Sequence, residues 1–386
     1  MINVNAHIHT PYSFSAFNKL TDALDQAVDE QVKVVGINDF YSTDGYQEWH
    51  NEAIKRKLFP LFNIELISLQ ADDQTNGIRV NDPSNPGRTY LSGKGLKSTG
   101  RLPEPYASEL ADVRAASNGQ VRLMCDQLNE LLQSYNAGFT IDFEWIKKEL
   151  TKGLVRERHL AKALRMIAYN HYDEDERAIT AFFVMLFDNK TLKSEIKNHA
   201  GMENEIRNNL LKAGGAAFVP EDSKAFLPME KVVQLILAAG GIPTYPFLAD
   251  DANGAFTDFE KDIEQAAETL KQRNIFSVEF IPTRNSIEAL EKYARYLHEK
   301  GFVVTFGSEH NTPASEPLEL FARGQTPLTN FLKSINYEGA CIIAAHQELI
   351  REGQQGYVDP SGQPDPAKRD YFIKRGDELI QAVIRG

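Results

Sequence analysis

The chain has 386 residues, of which 42% are hydrophobic and 25% are charged, as in a globular protein with a sizeable core. Its net charge of −12 argues against duplex nucleic acid or an anionic membrane as a partner. Two cysteines are too few for a disulfide framework or a thiolate zinc site, and neither a secretory leader nor a bilayer-spanning apolar run is present, so we expect a cytoplasmic protein.

Strands and helices alternate along the first seventy residues. Residues 2–6 have the pattern of a short strand, and 33–38 (KVVGIN) and 61–69 (LFNIELISL) that of buried strands. Apolar residues at helical spacing predict helices between them, at about 21–31 and 46–56. A strand followed by a helix, repeated, indicates a parallel sheet or a βα barrel.

The middle of the chain has a different pattern. Residues 76–104 are rich in glycine, proline and asparagine, which predicts loops. From about 106 to 227 the apolar spacing is almost wholly helical. We therefore predict an all-α domain inserted into an α/β barrel, with the barrel in two parts, at 1–105 and 228–386.

The alternation resumes in the last third. Predicted strands cover 242–248, 275–281 and 302–308, and predicted helices cover 229–241, 258–274, 286–301, 328–335 and 340–353.

Polar side chains follow several of the predicted strands. His7 and His9 are two positions apart on a strand, so both side chains point the same way and can reach one metal ion. Taken alone, such a pair is more often exposed or satisfied within a core. With Glu65 and Glu309, which lie at the ends of other strands, it makes a set of two nitrogen and two oxygen ligands suited to Zn²⁺, Mn²⁺ or Fe²⁺.

Six segments in order resemble the motifs of the PHP (polymerase and histidinol phosphatase) family of metal-dependent phosphoesterases. They are HIHTPYS, VVGINDF, FNIELIS, RERHLAKAL, GGIPTYP and FGSEHN, and they extend from residue 5 to residue 311. The resemblance implies a distorted (β/α)7 TIM-like barrel with a helical insertion, and the hydrolysis of phosphoric esters.

The resemblance also implies fewer metals than the three that the family can hold. The first metal's ligands correspond to His7, His9, Glu65 and Glu309. Positions of the other ligands are occupied by residues that bind metals poorly, namely Phe14, Phe40, Tyr245 and Asn311. We therefore expect one divalent ion (Zn, Mn or Fe), with rescue of a lost ligand by a nearby histidine as an alternative. The candidates for such rescue are His310, His159 and His50.

Two functions are compatible with these residues. In a phosphoesterase acting on a small phosphorylated molecule or a nucleotide, Asp39 would orient a histidine or act as general base, and Tyr245 would donate to the leaving oxygen. Cations for the phosphate would come from Arg79, Arg88, Lys94 and Arg284. The alternative is a catalytically inactive ligand-binding or regulatory protein derived from the same fold, favoured by the lost ligands.

Overall fold

The computed structural model describes residues 2–311 and 316–386. Seven strands form one sheet: β1 Asn3–Ile8, β2 Val32–Phe40, β3 Phe59–Leu69, β4 Arg88–Lys94, β5 Ile242–Phe247, β6 Ser277–Phe280 and β7 Val303–Phe306. A separate small pair consists of β8 Phe321–Ala322 and β9 Thr326–Pro327.

Helices surround the sheet and fill the long interval between β4 and β5. They are α1 Leu20–Asp29, α2 Tyr46–Lys55, α3 Ala71–Thr75, α4 Tyr106–Ser134, α5 Phe143–Trp145, α6 Glu157–His171, α7 Glu176–Leu186, α8 His199–Ile206, α9 Met229–Ala238, α10 Ile263–Gln272, α11 Ile287–Glu299, α12 Asn330–Arg351 and α13 Arg369–Arg385. Turns of π-helix extend α5 and α8, at Ile146–Leu150 and Arg207–Leu211. No helix in the described ranges is long and apolar enough to cross a membrane.

The sheet curls into a nearly closed barrel. Its strands neighbour one another in chain order, and all pairs are parallel except those of β4, which runs antiparallel to β3 and to β5. The first and last strands meet where Ile8 bridges to Glu309, and the His9 amide donates to the Glu309 carbonyl at 2.8 Å. The predicted distorted (β/α)7 TIM-like barrel is confirmed.

The interior of this barrel is polar. Asn5, Asn38, Asn63, Ser92 and Glu279 are buried, and each forms a side-chain hydrogen bond to a group on another element. Burial of such groups is tolerated when they are hydrogen-bonded. The apolar residues of the same strands belong instead to two clusters shared with the surrounding helices. The barrel therefore offers a hydrogen-bonded scaffold for buried charges.

The segment between β4 and β5 has a hydrophobic cluster of its own. Leu128 on α4, Leu160 on α6 and Phe183 on α7 are fully buried in it. A second cluster, separate from that of the barrel, accords with an inserted helical domain, and the bounds of that domain stay a prediction.

The structure corrects the predicted loop at 76–104, because residues 88–94 (RTYLSGK) form β4. Glycine and proline around this strand conceal its period of two, and its inward residues are polar. It also corrects the two helices predicted at 328–335 and 340–353, which are one helix, α12. Gly339 continues that helix at a close approach to β7, where a Cβ would lie 2.2 Å from the Val304 carbonyl oxygen.

A buried histidine on α12 makes stability depend on pH. His346 donates through Nε2 to the Gly240 carbonyl at 2.7 Å and accepts the Tyr357 amide at Nδ1 at 2.9 Å, so it must be neutral. Burial lowers its pKa to about 4, below the ordinary value of 6.5. As pH falls, the unfolded chain binds a proton at this histidine before the folded protein does. The contribution of His346 to the free energy of unfolding is therefore present above about pH 6.5 and is lost as pH falls through about 4. The loss amounts to roughly 1–3 kcal/mol.

Denaturant unfolding between pH 7.5 and pH 4 tests this expectation. His346→Gln cannot titrate, so its free energy of unfolding should fall less steeply with acid than that of the wild type. His50→Gln, at an exposed position on α2, serves as the matched control and should parallel the wild type. Equal slopes for the wild type and His346→Gln would contradict the expectation.

Candidate metal centre

Three buried side chains converge at the barrel mouth, which is the end where the parallel strands terminate. His7 lies on β1, His9 directly follows it, and Glu65 lies on β3. The two Nε2 atoms are 3.3 Å apart, and Glu65 Oε2 lies 3.2 Å from His9 Nε2 and 3.6 Å from His7 Nε2. Among the described residues these three form a group able to hold a metal ion.

The donor atoms fit a small divalent ion. Ligand atoms about 2.1 Å from a tetrahedral ion lie roughly 3.4 Å from one another, close to the three separations observed. Glu65 Oε2 is buried and has no hydrogen-bond partner within the described ranges, although it faces both imidazoles. A buried carboxylate oxygen without a hydrogen bond is costly, and either a protonated His7 or a cation held between the three side chains would offset its charge.

His7 is held through its other ring nitrogen. Nδ1 lies 3.1 Å from Glu279 Oε2, so an Nδ1–H donates to the carboxylate, and Nε2 on the other side of the ring faces Glu65. Burial lowers the pKa of His7, but the charges of Glu279 and Glu65 outweigh it and raise that pKa to about 9. A metal ion that binds at Nε2 therefore displaces a proton and binds less tightly in acid.

His9 is oriented by a hydrogen-bonded chain that ends at Asp39. His9 Nδ1 lies 3.2 Å from Ser13 Oγ, which donates to Asp39 Oδ1 at 2.6 Å. Asp39 also accepts the Thr10 amide at 2.7 Å and the Thr10 hydroxyl at 2.5 Å. Burial raises the pKa of Asp39 despite these donors. With the serine proton directed to Asp39, Ser13 Oγ accepts from His9 Nδ1, and His9 Nε2 is free to bind a metal.

Two phenylalanines surround the His9 ring. The centroids of Phe14 and Phe40 each lie 5.2 Å from that of His9, and both rings are stacked on it. Both phenylalanines are buried. The centroids of the two phenylalanines are also 5.2 Å apart, so both rings pack on one side of the imidazole and help to fix its plane.

The fourth predicted ligand is occupied elsewhere. Glu309 Oε2 lies 2.5 Å from both the Arg284 guanidinium and the Asn311 amide, and the carboxylate is outside the group of three. The backbone of Glu309 nevertheless bonds to His7 and His9, so its side chain is near the centre. Coordination of a metal by Glu309 stays a prediction, and it requires release of the carboxylate from Arg284. The same contact occupies the Arg284 guanidinium, which was predicted to bind a phosphate.

The three histidines considered as replacement ligands lie in other contacts. His310 accepts the Ser308 hydroxyl at Nδ1 and donates through Nε2 to the Glu316 carbonyl at 2.9 Å. His159 accepts the Arg156 amide at Nδ1, and His50 is exposed on α2. None of them is in the group at the mouth.

Tyr245 and Lys94 are not brought to the mouth. The Tyr245 hydroxyl donates to Glu260 Oε1 at 2.9 Å, whereas its neighbour Thr244 bonds to Ser277. Lys94 was expected on a loop, but it belongs to β4, and its fully buried Nζ lies 2.6 Å from Glu279 Oε2. Both side chains are held in these other contacts, and their predicted roles toward a leaving group and a phosphate stay predictions.

The two remaining predicted phosphate ligands are arginines in ion pairs. Arg79 bonds to Asp258 at 3.1 Å and is half-exposed. Arg88 bonds to Glu221 and lies over the Phe226 ring. Neither contacts the group of three, so their role with a phosphate stays a prediction.

Three other arginines, not identified from the sequence, lie closer. The arginine cluster comprises Arg156, Arg158 and Arg207, at the start of α6 and the end of α8. The Arg158 guanidinium lies over the Phe14 ring, 5.4 Å from its centroid, and Phe14 in turn stacks on His9. In the sequence, only the similarity of RERHLAKAL to a segment of the PHP family drew attention to this region. That similarity did not indicate that the start of α6 lies beside Phe14.

The arginine cluster contains unsatisfied donors. Arg158 Nη1 and Arg207 Nε are buried without a hydrogen-bond partner in the part of the chain that the structure describes. Burial and the neighbouring charge of Arg207 lower the pKa of Arg158 to about 10. Glu157 lies 2.8 Å from Arg207 and offsets part of the positive charge. Such a cluster favours an anion that accepts the unsatisfied N–H groups.

A cavity of about 680 Å³ lies between α4 and the loops of the barrel. Its lining includes Tyr41, Leu102, Ala115, Arg122 and Phe143. The Tyr41 amide donates to the Glu65 carbonyl at 2.9 Å, so one lining residue is joined to the strand that carries Glu65, although His7, His9 and Glu65 do not line the cavity themselves. Its volume suits the organic part of a small substrate.

Two solved structures resemble this chain over most of its length. One is assigned as a metal-dependent phosphoesterase from Bifidobacterium adolescentis, with a TM-score of 0.55, 16% identity, and coverage of 86% of this chain and 94% of that one. The other is an amidohydrolase from Chromobacterium violaceum with bound sulfate and no metal, with a TM-score of 0.52, 16% identity, and coverage of 86% and 96%. At this identity the likeness shows a shared fold. No family model and no curated protein matches the sequence.

Proposed function

We propose that the protein is a metal-dependent phosphoesterase with one divalent ion, zinc, manganese or iron, held by His7, His9 and Glu65. The observation that carries this proposal is the buried Glu65 oxygen, which has no hydrogen-bond partner in the described ranges and faces two imidazole nitrogens at 3.2 and 3.6 Å. The similar structure assigned as a metal-dependent phosphoesterase supports the same reaction class.

The chain's own residues prepare the centre for this chemistry. A divalent ion bound there would polarise a phosphoryl oxygen and lower the pKa of a water molecule. Glu279 and the Ser13–Asp39 pair hold the two imidazoles with both Nε2 atoms directed toward Glu65. Asp39 accepts three hydrogen bonds, which favours an orienting role over that of a general base.

The surroundings favour a small phosphorylated molecule or a nucleotide. The unsatisfied N–H groups of Arg158 and Arg207 offer charged donors to phosphate oxygens near His9. The cavity beside Tyr41 can receive the organic part of the substrate. Net charge still disfavours a duplex nucleic acid.

Elemental analysis and turnover together test this function. We expect about one equivalent of zinc, manganese or iron per chain, and hydrolysis of p-nitrophenyl phosphate or of nucleoside monophosphates after loading with that metal. Failure to hydrolyse any phosphoester with any of these metals would contradict it.

A ligand-binding protein without catalysis is the second candidate. The stacking of Phe14 and Phe40 on His9 favours it, because aromatic rings occupy positions where PHP enzymes hold further metal ligands. A protein that binds phosphate or a nucleotide tightly, holds a metal or none, and hydrolyses neither a monoester nor a diester would be of this kind.

The cavity provides a prediction about substrate size. Ala115 lines it from an exposed position on α4, so Ala115→Trp should partly fill it. We expect KM for a nucleotide to rise about tenfold, as expected for loss of roughly 1.4 kcal/mol of binding, with little change for p-nitrophenyl phosphate. Leu123→Trp, at an exposed position on the same helix, is the control. Equal effects of Ala115→Trp on both substrates would show that the cavity does not bind the organic part.

A further inference from the structure

We propose that Glu279 and Lys94 are positioning residues, which hold His7 in the orientation that allows its Nε2 to bind a divalent ion. The inference rests on the proposed metal centre and extends it to a buried ion pair on two other strands. Neither residue is a ligand in this arrangement.

Glu279 has no carboxylate oxygen left for a metal. Its Oε2 contacts His7 Nδ1 at 3.1 Å and Lys94 Nζ at 2.6 Å, and its Oε1 accepts the Ser92 hydroxyl. Glu65 differs, because its Oε2 has no hydrogen-bond partner among the described residues. Two buried carboxylates therefore flank His7 with different roles, one free to bind a cation and one committed to the ring.

Lys94 compensates the charge of Glu279 without approaching the mouth. Both side chains are fully buried, and a buried carboxylate without a cation is strongly destabilising. Burial raises the pKa of Glu279, but Lys94 and His7 outweigh it and lower that pKa. The Lys94 ammonium also donates to the Ala6 carbonyl at 3.2 Å, on the residue preceding His7.

The antiparallel direction of β4 makes this placement available. Ser92 pairs with Glu65 and Thr244, whereas Lys94 pairs with Ile242, the first residue of β5. The lysine side chain thus enters from the end of the barrel opposite the centre. A parallel strand would carry its later residues toward the mouth, where a cation would repel the metal.

The double variant Lys94→Met/Glu279→Leu tests the proposal. It replaces the ion pair by apolar side chains of similar volume, a change that buried pairs often tolerate. We expect Co²⁺ to bind 10–100-fold more weakly than to the wild type, the usual effect of removing a group that orients a histidine ligand. The visible absorption of bound Co²⁺ should also change, because the His7 ring loses the acceptor of its Nδ1–H.

A matched pair in the helical segment serves as control. Arg165 and Glu203 form a buried ion pair at 2.8 Å, so Arg165→Met/Glu203→Leu should leave Co²⁺ affinity and the spectrum unchanged. A folded Lys94→Met/Glu279→Leu protein with wild-type affinity and spectrum would overturn the proposal. If that variant does not fold, Lys94→Met/Glu279→Gln replaces it: its amide oxygen still accepts from His7, so Co²⁺ affinity close to that of the wild type is expected, and a loss of about 10-fold or more in this folded variant would overturn the proposal. Weak affinity in both variants would assign the pair to folding rather than to positioning.

Co²⁺ binding by the wild-type protein distinguishes failure of this inference from failure of the proposed metal centre on which it rests. If the wild-type protein binds no Co²⁺, the metal centre itself is wrong. If it binds Co²⁺ and the double variant binds it equally well, only the role of Glu279 and Lys94 is wrong.

Discussion

Glu65→Gln should reduce the affinity for the divalent ion by at least about 100-fold and remove phosphoesterase activity. The substitution keeps the shape of the side chain but replaces an anionic oxygen, which faces His7 and His9 at 3.6 and 3.2 Å, by a neutral amide. Amides bind transition metals poorly, and the two imidazoles alone leave the ion without charge compensation. Metal content after dialysis and titration with a chromophoric chelator measure the loss.

The control for Glu65→Gln is a buried glutamate elsewhere. Glu203→Gln, in the ion pair with Arg165, should retain metal and activity even if it loses some stability. The metal centre would be wrong if Glu65→Gln retained one equivalent of metal at wild-type affinity.

Arg158→Met should lower kcat/KM by about 100-fold while leaving metal content unchanged. The guanidinium lies over Phe14 beside the centre, and its Nη1 has no hydrogen-bond partner among the described residues. Removal of one charged donor to a phosphoryl group commonly costs 10²–10³-fold in rate. Methionine keeps much of the apolar contact with Phe14, so loss of the charge is the main effect.

Inorganic phosphate provides a second measurement for Arg158. Its inhibition constant should rise together with the loss of kcat/KM, and Arg158→Lys should restore part of both, because lysine keeps the charge but not the fork. Arg177→Met, at an exposed position on α7, should change neither. An unchanged inhibition constant in Arg158→Met would exclude this arginine from phosphate binding.

The convergence of His7, His9 and Glu65 could be predicted because their geometry is local. His7 and His9 share a face through the period of a strand, and Glu65 is carried by an apolar run that could be recognised as buried. Tyr245 shows the limit of the same reasoning. Alternate residues of a strand point to opposite faces of the sheet, and on β5 it is Thr244, not Tyr245, whose side chain bonds to β6. The sequence pattern alone does not determine which of the two alternate sets of residues faces the barrel interior.

The residues that surround the centre depend on tertiary packing. Lys94 was predicted on a loop because the glycines and prolines around β4 conceal a strand. Since β4 runs antiparallel to its neighbours, Lys94 lies at the end of the strand that is farther from the barrel mouth. Arg158 was missed because no spacing along the chain indicates that α6 begins beside Phe14. Glu309 was expected to be a ligand, and the contact with Arg284 could not be inferred from their separate strand ends.

The closure of the barrel has a consequence for the order of events during synthesis and folding. His7, His9 and Glu65 are all made within the first 65 residues, and β4 pairs with β3 from a nearby part of the chain. The contacts that close the barrel come much later, as in the bond from Asn5 to Ser308 across 303 positions. Long-range contacts of this kind form late, because a large loop must first be ordered. A growing chain therefore contains His7 and His9 long before Glu279, which lies in the last third of the protein, can contact His7.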